Sequence, residues 1–233
     1  KPNYIDACAA PGDAINLSVR GKSLAFSSIH FLFLFFPIVI ILFYIVSNRW
    51  WRNAVLFLAS LVFFGWADPT HLPLLLGSVL LNYVFGICLD MAHKHQNARL
   101  LRTLAVSGVV INLLILVFYK DLGFISSTFQ YVIKTSITLP KLALPLGISY
   151  FTFAGISYIV DVYQNVEKAE KNPLRFGTYL IMFPKLLQGP ITRFGVVKND
   201  LSYKGYAVDD IVRGIRRLIV GLVKKVLIAD SLA

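Results

Sequence analysis

The sequence predicts an all-α, polytopic membrane helical bundle, on three observations. The 233 residues are 57% hydrophobic and only 15% charged, with a mean hydropathy of +0.68, whereas soluble domains carry about 25% charged residues. The apolar residues are gathered into runs. Residues 24–48 contain no Lys, Arg, Asp or Glu, which exceeds the roughly 20 residues that cross a bilayer. Further runs follow at 54–67, 72–89, 104–119, 142–160 and 176–184, and a soluble protein would need a very large core to bury them all. Finally, the Lys and Arg residues behind the net charge of +11 cluster in the short connections between runs. That placement belongs to loops facing anionic lipid heads, so the implied partner is the lipid bilayer and not nucleic acid.

The first 23 residues, KPNYIDACAAPGDAINLSVRGKS, are polar and turn-rich. They lack the order of basic, apolar and small residues that marks a signal peptide. Residues 1–23 are therefore read as a tail separate from a membrane domain over 24–233. The expectation is that Leu24 is the native start and that 1–23 is upstream translation. Cys8 and Cys88 form no disulfide or metal pattern.

Span one covers 29–46, with Pro37 as a kink that membrane neighbours tolerate. In SNRWWRN, Arg49 and Arg52 with the tryptophan pair read as a cationic, interfacial anchor. Span two, 54–66, ends in WADPTH, a connection without Lys or Arg. Span three, 72–89, leads into DMAHKHQNARLLR, which holds Lys94, Arg99 and Arg102. The alternation of basic, non-basic and basic connections puts the first and third inside and the start of span one outside. Span four is 104–119. The following LGFISSTFQYVI reads as a half-helix or a surface segment, and the scattered Lys120, Lys134 and Lys141 assign no side to 120–141. In span five, LALPLGISYFTFAGISYIVDVY, Pro145 and Gly147 loosen the start. Ser149, Thr152 and Gly155 recur by threes, as ordinary packing or as a small-residue face for a neighbouring helix. Asp161 marks the exit to water.

The stretch FPKLLQGPITRF is the chemical anomaly. The helix over 176–187 is 12 residues, about 18 Å at 1.5 Å per residue, against a hydrocarbon core of roughly 30 Å. Gly189-Pro190 then stops it, because Pro has no N–H to donate and disfavours helical geometry before it. A helix that ends at membrane depth is acceptable only inside protein or beside a water-filled cavity. Lys185, Gln188 and Arg193 suit such a cavity, and an intramembrane cation points to function. The alternative is a helix that merely reaches the interface, where Lys185 snorkels and Arg193 touches lipid phosphate.

The last segment, DDIVRGIRRLIVGLVKKVLIAD, is amphipathic. Ile211, Val212, Ile215, Leu218, Ile219, Leu222, Val223, Val226 and Leu227 share one face, opposite Arg213, Arg217 and Lys224. Asp209 or Asp210 is expected at the N-cap, and Gly214 and Gly221 form a small strip. The helix either lies at a membrane surface or turns its basic side toward a cytoplasmic vestibule that attracts an anionic substrate.

In this order, LAFSSIHFLFLFFP, LPLGISYFTFAGISYIVDVY, FPKLLQGPITRF and GIRRLIVGLVKKVLIAD resemble the membrane-bound O-acyltransferase (MBOAT) family, in particular its bacterial branch that acetylates alginate. The resemblance runs from Leu24 to the end. It implies a ring of helices around a funnel in the bacterial inner membrane. It further implies an acyl donor on the cytoplasmic side, acetyl-CoA, and a polysaccharide acceptor reached on the far side through a periplasmic or extracellular acetyltransferase partner protein. Gln188, Gly189, Pro190 and Arg193 match the family's short Q/A-G-P-I-x-R element, which resembles a funnel-lining turn. Lys185 stands where the family often has Gln, as a cation that pairs with a thioester's phosphates.

The family's catalytic His lies in a later part of the chain near a Trp-His motif, and the resemblance therefore implies an N-terminal half that is inactive alone, with that His beyond residue 233. His30, His71, His93 and His95 sit near span ends or in the basic loop, and none is placed to take the proton from an acceptor hydroxyl. The HKH at 93–95 lacks a carboxylate partner and reads as solvated, so no metal is expected. Two readings from other classes are a secondary transporter, since broken helices also build transport sites, and a non-catalytic membrane scaffold. A transporter would show paired breaks in related halves, whereas the sequence has one clear Gly-Pro break and no internal repeat.

Overall fold

Nine α-helices run through the described residues of the computed structural model, which are 30–46, 48–133, 144–186, 189–202, 208–225 and 227, with backbone alone for 121–133 and 208. They are α1 (Phe36–Ile45), α2 (Arg49–Ala67), α3 (Leu72–Lys94), α4 (Ala98–Ile133), α5 (Ile148–Tyr163), α6 (Pro173–Ile181), α7 (Phe183–Leu186), α8 (Phe194–Ser202) and α9 (Val208–Lys224). The tail over 1–23 and Gln188 lie outside the described residues. Three helical stretches, Arg49–Ala67, Pro69–Lys94 and Ala98–Lys120, are long and apolar enough to cross a membrane, and Phe31–Ile45 and Ile148–Tyr163 are shorter apolar helices. The protein is an all-α membrane helical bundle. It divides into two compact units, one over 39–204 and one formed by the residues up to 38 together with those from 205 onward.

In the smaller unit, Pro37 follows a π-helical turn at Phe31–Phe35, where the Phe36 N–H reaches back to the Phe31 carbonyl. Proline cannot donate to the helical ladder, and widening the turn before it relieves the clash. Helix α9 exposes Val212, Ile215, Ile219, Val220 and Val223. Asp209 and Asp210 lie inside its first turn and not at its N-cap, and Asp210 pairs with Arg213. That acidic first turn still complements the helix dipole.

In the larger unit, Asn48 caps α2 by accepting from the Trp50 N–H at 3.0 Å. The Trp51 indole donates to the Leu42 carbonyl at 2.8 Å. Arg52 departs from the anchor reading. It is buried, with its guanidinium 5.5 Å from the Phe43 ring centroid, so a cation–π contact and its packed stem hold the α1–α2 corner. At the other end of α2, Asp68 organises the WADPTH turn. Its carboxylate accepts from the His71 backbone N–H at 3.3 Å, the His71 ring at 2.8 Å and the Leu146 N–H at 3.1 Å. The His71 ring stands edge-on to Tyr119. One acidic side chain thus joins the α2–α3 turn to the start of α5.

Helix α5 is the centre of this unit, buried on nearly every side, with α3, α4 and α6 packed around it. Glycines set the approach. A Cβ on Gly86 of α3 would lie 2.5 Å from the Tyr158 ring, and one on Gly155 of α5 would lie 2.6 Å from Asn82. A Cβ on Gly108 of α4 would lie 2.9 Å from Ile159. Gly155 of span five therefore serves helix packing. Beneath Gly155, Asn82 and Asn112 exchange amide hydrogen bonds at 3.0 and 3.2 Å, and each also donates to its own helix, to Ser78 O and Gly108 O. At the far end of α5, the His93 ring nitrogen lies 3.0 Å from the Val162 carbonyl and 3.2 Å from that of Tyr163. His93 is thus a C-terminal cap for α5. The segment LGFISSTFQYVI is not a separate half-helix, because the backbone of α4 continues through it to Ile133, 36 residues in all.

Two substitutions test this packing. Asn82→Ala or Asn112→Ala strands a buried amide and is expected to lower stability by about 1–3 kcal/mol each. The double variant should lose less than the sum, read as a coupling in denaturant unfolding of the detergent-solubilised protein. Gly147 begins α5 at φ 66°, and a Cβ there would strike the Leu186 carbonyl. Gly147→Ala should therefore destabilise by roughly 1–3 kcal/mol, seen as a lowered Tm.

Candidate functional site

The apolar run after residue 173 does not cross the bundle as one rod. Helix α6 starts at Asn172, whose side chain accepts from the Leu174 and Arg175 N–H groups, with Pro173 in the first turn where a missing donor does no harm. It stops at Met182, which is extended at ψ 115°. Pro184 cannot donate to the Leu180 carbonyl, so the helical ladder of α6 cannot continue through it. The break therefore falls at Met182, earlier than Gly189-Pro190 and inside the 176–187 helix read from the sequence. The freed Phe183 N–H is taken by the Ser60 hydroxyl at 3.1 Å. Helix α7 then provides one turn, Phe183–Leu186.

The path of this segment follows from its contacts with α5. Phe176 lies against Tyr158, the Tyr179 hydroxyl meets the Ala154 carbonyl at 3.2 Å, and Leu186 lies against Gly147. As the chain runs from 176 to 186, its partners run backward along α5 from 158 to 147. The return is shorter. Thr192 is back at the level of Tyr179, whose hydroxyl also reaches the Thr192 carbonyl at 3.2 Å, and Phe194 stands edge-on to both Tyr158 and Tyr179. Residues 173–194 thus form a re-entrant hairpin that starts and ends beside the C-terminal half of α5.

Of the candidate residues, Lys185 and Gly189 come together at the turn. Lys185 is half-buried and donates to the Thr192 hydroxyl at 2.8 Å, tying the two limbs. The Gly189 N–H closes a bond on the Lys185 carbonyl at 2.9 Å, and a Cβ on Gly189 would sit 2.5 Å from the Lys185 Cα, so only glycine fits. Pro190 is exposed. Gln188 lies outside the described residues. Arg193 points elsewhere: it lines a recess of about 260 Å3 with Asp161, Val166, Glu167, Gly195, Val196 and Asn199. Asp161 thus leaves α5 into this recess and not at open surface, being 5% exposed. Pro184, Ser60, Thr192 and Glu167 were missing from the sequence-based site. Only Pro184 was visible beforehand, as the proline in IMFPK.

The histidines are accounted for differently. His71 is bound to Asp68, and His93 to the end of α5. The His71 contact uses Nδ1 and the His93 contact Nε2, and His95 is exposed.

No protein-family model matches the chain, and no solved structure matches it. Curated relatives do. The chain is 35% identical over 214 residues to the probable alginate O-acetylase AlgI of Pseudomonas aeruginosa, covering 90% of this chain and 41% of that protein. It is 34% identical over 215 residues to the AlgI of Azotobacter vinelandii, covering 90% and 42%. The peptidoglycan O-acetyltransferase of Helicobacter pylori is 29% identical over 246 residues, covering 90% of this chain and 45% of that protein. The chain spans about two fifths of the length of the alginate O-acetylases it matches. Over nine tenths of its own length it is a homologue of these bacterial O-acetylases, as the resemblance in its sequence implied.

Proposed function

We propose that this chain is part of a membrane-bound O-acyltransferase that transfers acetyl groups to hydroxyls of an exported or cell-surface polysaccharide, as the printed names of its relatives suggest. The observation that carries the reading is the re-entrant hairpin over 173–194, whose turn holds the Gly189-Pro190 element. A chain that enters the bundle and leaves from one end lines a passage without closing it, and irregular backbone at such depth belongs beside a cavity. Lys185, Gln188, Gly189 and Pro190 are the residues proposed to line it, with Arg193 at its return. The turn lies near the start of α5, away from the basic connections. This position suits the acyl-bearing end of the donor better than the phosphates first assigned to Lys185.

The donor is proposed to be acetyl-CoA arriving from the cytoplasm, and the acceptor to be met across the inner membrane with a periplasmic or extracellular partner. In that reaction the acceptor hydroxyl attacks the thioester carbonyl, a base removes the hydroxyl proton, and the thiol leaves. The base is proposed to be a histidine outside these 233 residues, as the family resemblance implies. The comparisons lend no support to the transporter alternative.

Gln188→Ala and Lys185→Met, at unchanged membrane levels, should each lower the acetyl-ester content of the polysaccharide about tenfold or more, the loss of one positioned polar contact. Wild-type ester content in both would remove the turn from the site. Orientation is tested separately, with Cys8 and Cys88 replaced by Ser. An impermeant thiol reagent on intact cells should label Thr70→Cys and leave His95→Cys unlabelled until the membrane is opened; the reverse pattern would invert the topology.

A further inference from the structure

Helix α9 has two chemically opposed faces, and the structure buries neither of them. Val212, Ile215, Ile219 and Val223 form an apolar stripe, 51%, 47%, 54% and 48% exposed. Ile211, Leu218 and Leu222, along one edge of that stripe, are half-buried. Arg213, Arg217 and Lys224 on the opposite face are exposed, as is Arg216 beside the apolar stripe. Arg213 folds back on its own helix, to Asp210 and the Asp209 carbonyl. A Cβ on Gly214 or Gly221 would meet nothing within 4 Å. The small strip they form is therefore not a close helix contact among the described residues.

A helix whose basic side faces a vestibule would pack its apolar side on protein, and the exposed stripe is not packed so among the described residues. An apolar stripe left open in a membrane helical bundle meets acyl chains. The basic face then decides how the helix lies. Upright, its 17 residues would span about 25 Å and carry Arg216 and Arg217 through hydrocarbon, where charged side chains are costly. Lying flat answers both faces at once, with the stripe among acyl chains and the basic side at the headgroups. Charge selects the lipid. Over 208–225 five basic residues outnumber two acidic ones, and the acidic pair is confined to the first turn. Such a cluster on an amphipathic helix attracts anionic headgroups, whereas a zwitterionic headgroup brings a cation of its own.

We infer that α9 is an in-plane helix that docks on an anionic phospholipid surface. Val212, Ile215, Ile219 and Val223 enter the acyl layer at one common depth, and Arg216, Arg217 and Lys224 meet lipid phosphates. The inference does not depend on the acyltransferase reading.

The test places a bimane label at Val212→Cys, Ile219→Cys, Val223→Cys or Arg217→Cys, with Cys8 and Cys88 replaced by Ser, in the full chain reconstituted into vesicles. Lipids brominated on their acyl chains should quench the first three labels to a similar extent. The label at 217 should instead be quenched by aqueous iodide. A crossing helix would bury position 219 deeper than either end, so much stronger acyl-chain quenching there would overturn the inference. Absence of acyl-chain quenching at all three positions would mean that protein covers the stripe, and would overturn it equally. Lipid choice is read in mixed vesicles of phosphatidylglycerol and phosphatidylcholine in which one or the other carries the bromine. The label at 219 should report a preference for phosphatidylglycerol of about fivefold or more. The Arg216→Gln, Arg217→Gln double variant, which alters exposed side chains, should bring that ratio toward one. Equal quenching by the two lipids with the arginines in place would overturn the anionic assignment.

Discussion

A single hydroxyl holds the unusual part of this bundle together. Tyr179 on α6 reaches the Ala154 carbonyl of the central helix and the Thr192 carbonyl of the returning chain, both at 3.2 Å. The constraint behind it is that backbone groups freed by an interrupted helix cannot turn to water inside an apolar bundle. Each one left unpaired would cost about 1–3 kcal/mol. The solution here is local and nearly complete: Ser60 takes the Phe183 N–H, Gly189 returns its N–H to Lys185, and Tyr179 serves the carbonyl of the return. Remove these partners and the hairpin has no reason to remain folded within the bundle.

The hairpin in turn needs a fixed wall, and α5 provides one because its neighbours hold it at close range. Gly86, Gly108 and Gly155 let three helices approach. The Asn82–Asn112 pair then makes that approach specific, since a small-residue contact alone would allow sliding. Asp68 and His93 pin the two ends of α5, one to the Leu146 N–H and the other to the Val162 carbonyl. Both ends of a helix carry unpaired backbone groups, so fixing them costs no other bond. A rigid α5 is what lets the Ala154 carbonyl be where Tyr179 needs it.

Much of this was legible in the sequence, and what was not has a physical reason. Hydropathy located every long span because the apolar runs are uninterrupted by charge. The shortness of the segment after Phe176 and the stop at Gly189-Pro190 followed from helix rise and from proline. The earlier break was missed because Pro184 closes the apolar run 176–184 without interrupting it, whereas Gly189-Pro190 is the more conspicuous stop. Arg52 looked interfacial beside Trp50 and Trp51, and nothing local reveals that Phe43, nine residues back, would take its guanidinium. Asn82 and Asn112 are separated by a whole connection, and pairing across 30 residues is a property of helix rotation, which a sequence shows only as two polar positions among apolar ones. Glu167 and Asp161 are six residues apart, yet they share a wall only because the chain turns back at Asn165, which adopts φ 57°.

The helices of the larger unit differ in length. Helix α3, at 23 residues, is about 34 Å long, enough for the hydrocarbon core, whereas α5, at 16 residues, is about 24 Å. Beside α5 stands the hairpin, which enters from one end and turns before leaving at the other. The Gly-Pro turn thus packs against the start of the shorter helix. A full-length crossing helix at 173–194 would satisfy its backbone more simply. The re-entrant path instead recruits Ser60 and Tyr179 for the backbone groups it frees and the Lys185–Thr192 bond to tie its limbs, so its turn is fixed by the bundle around it and not by a helix of its own.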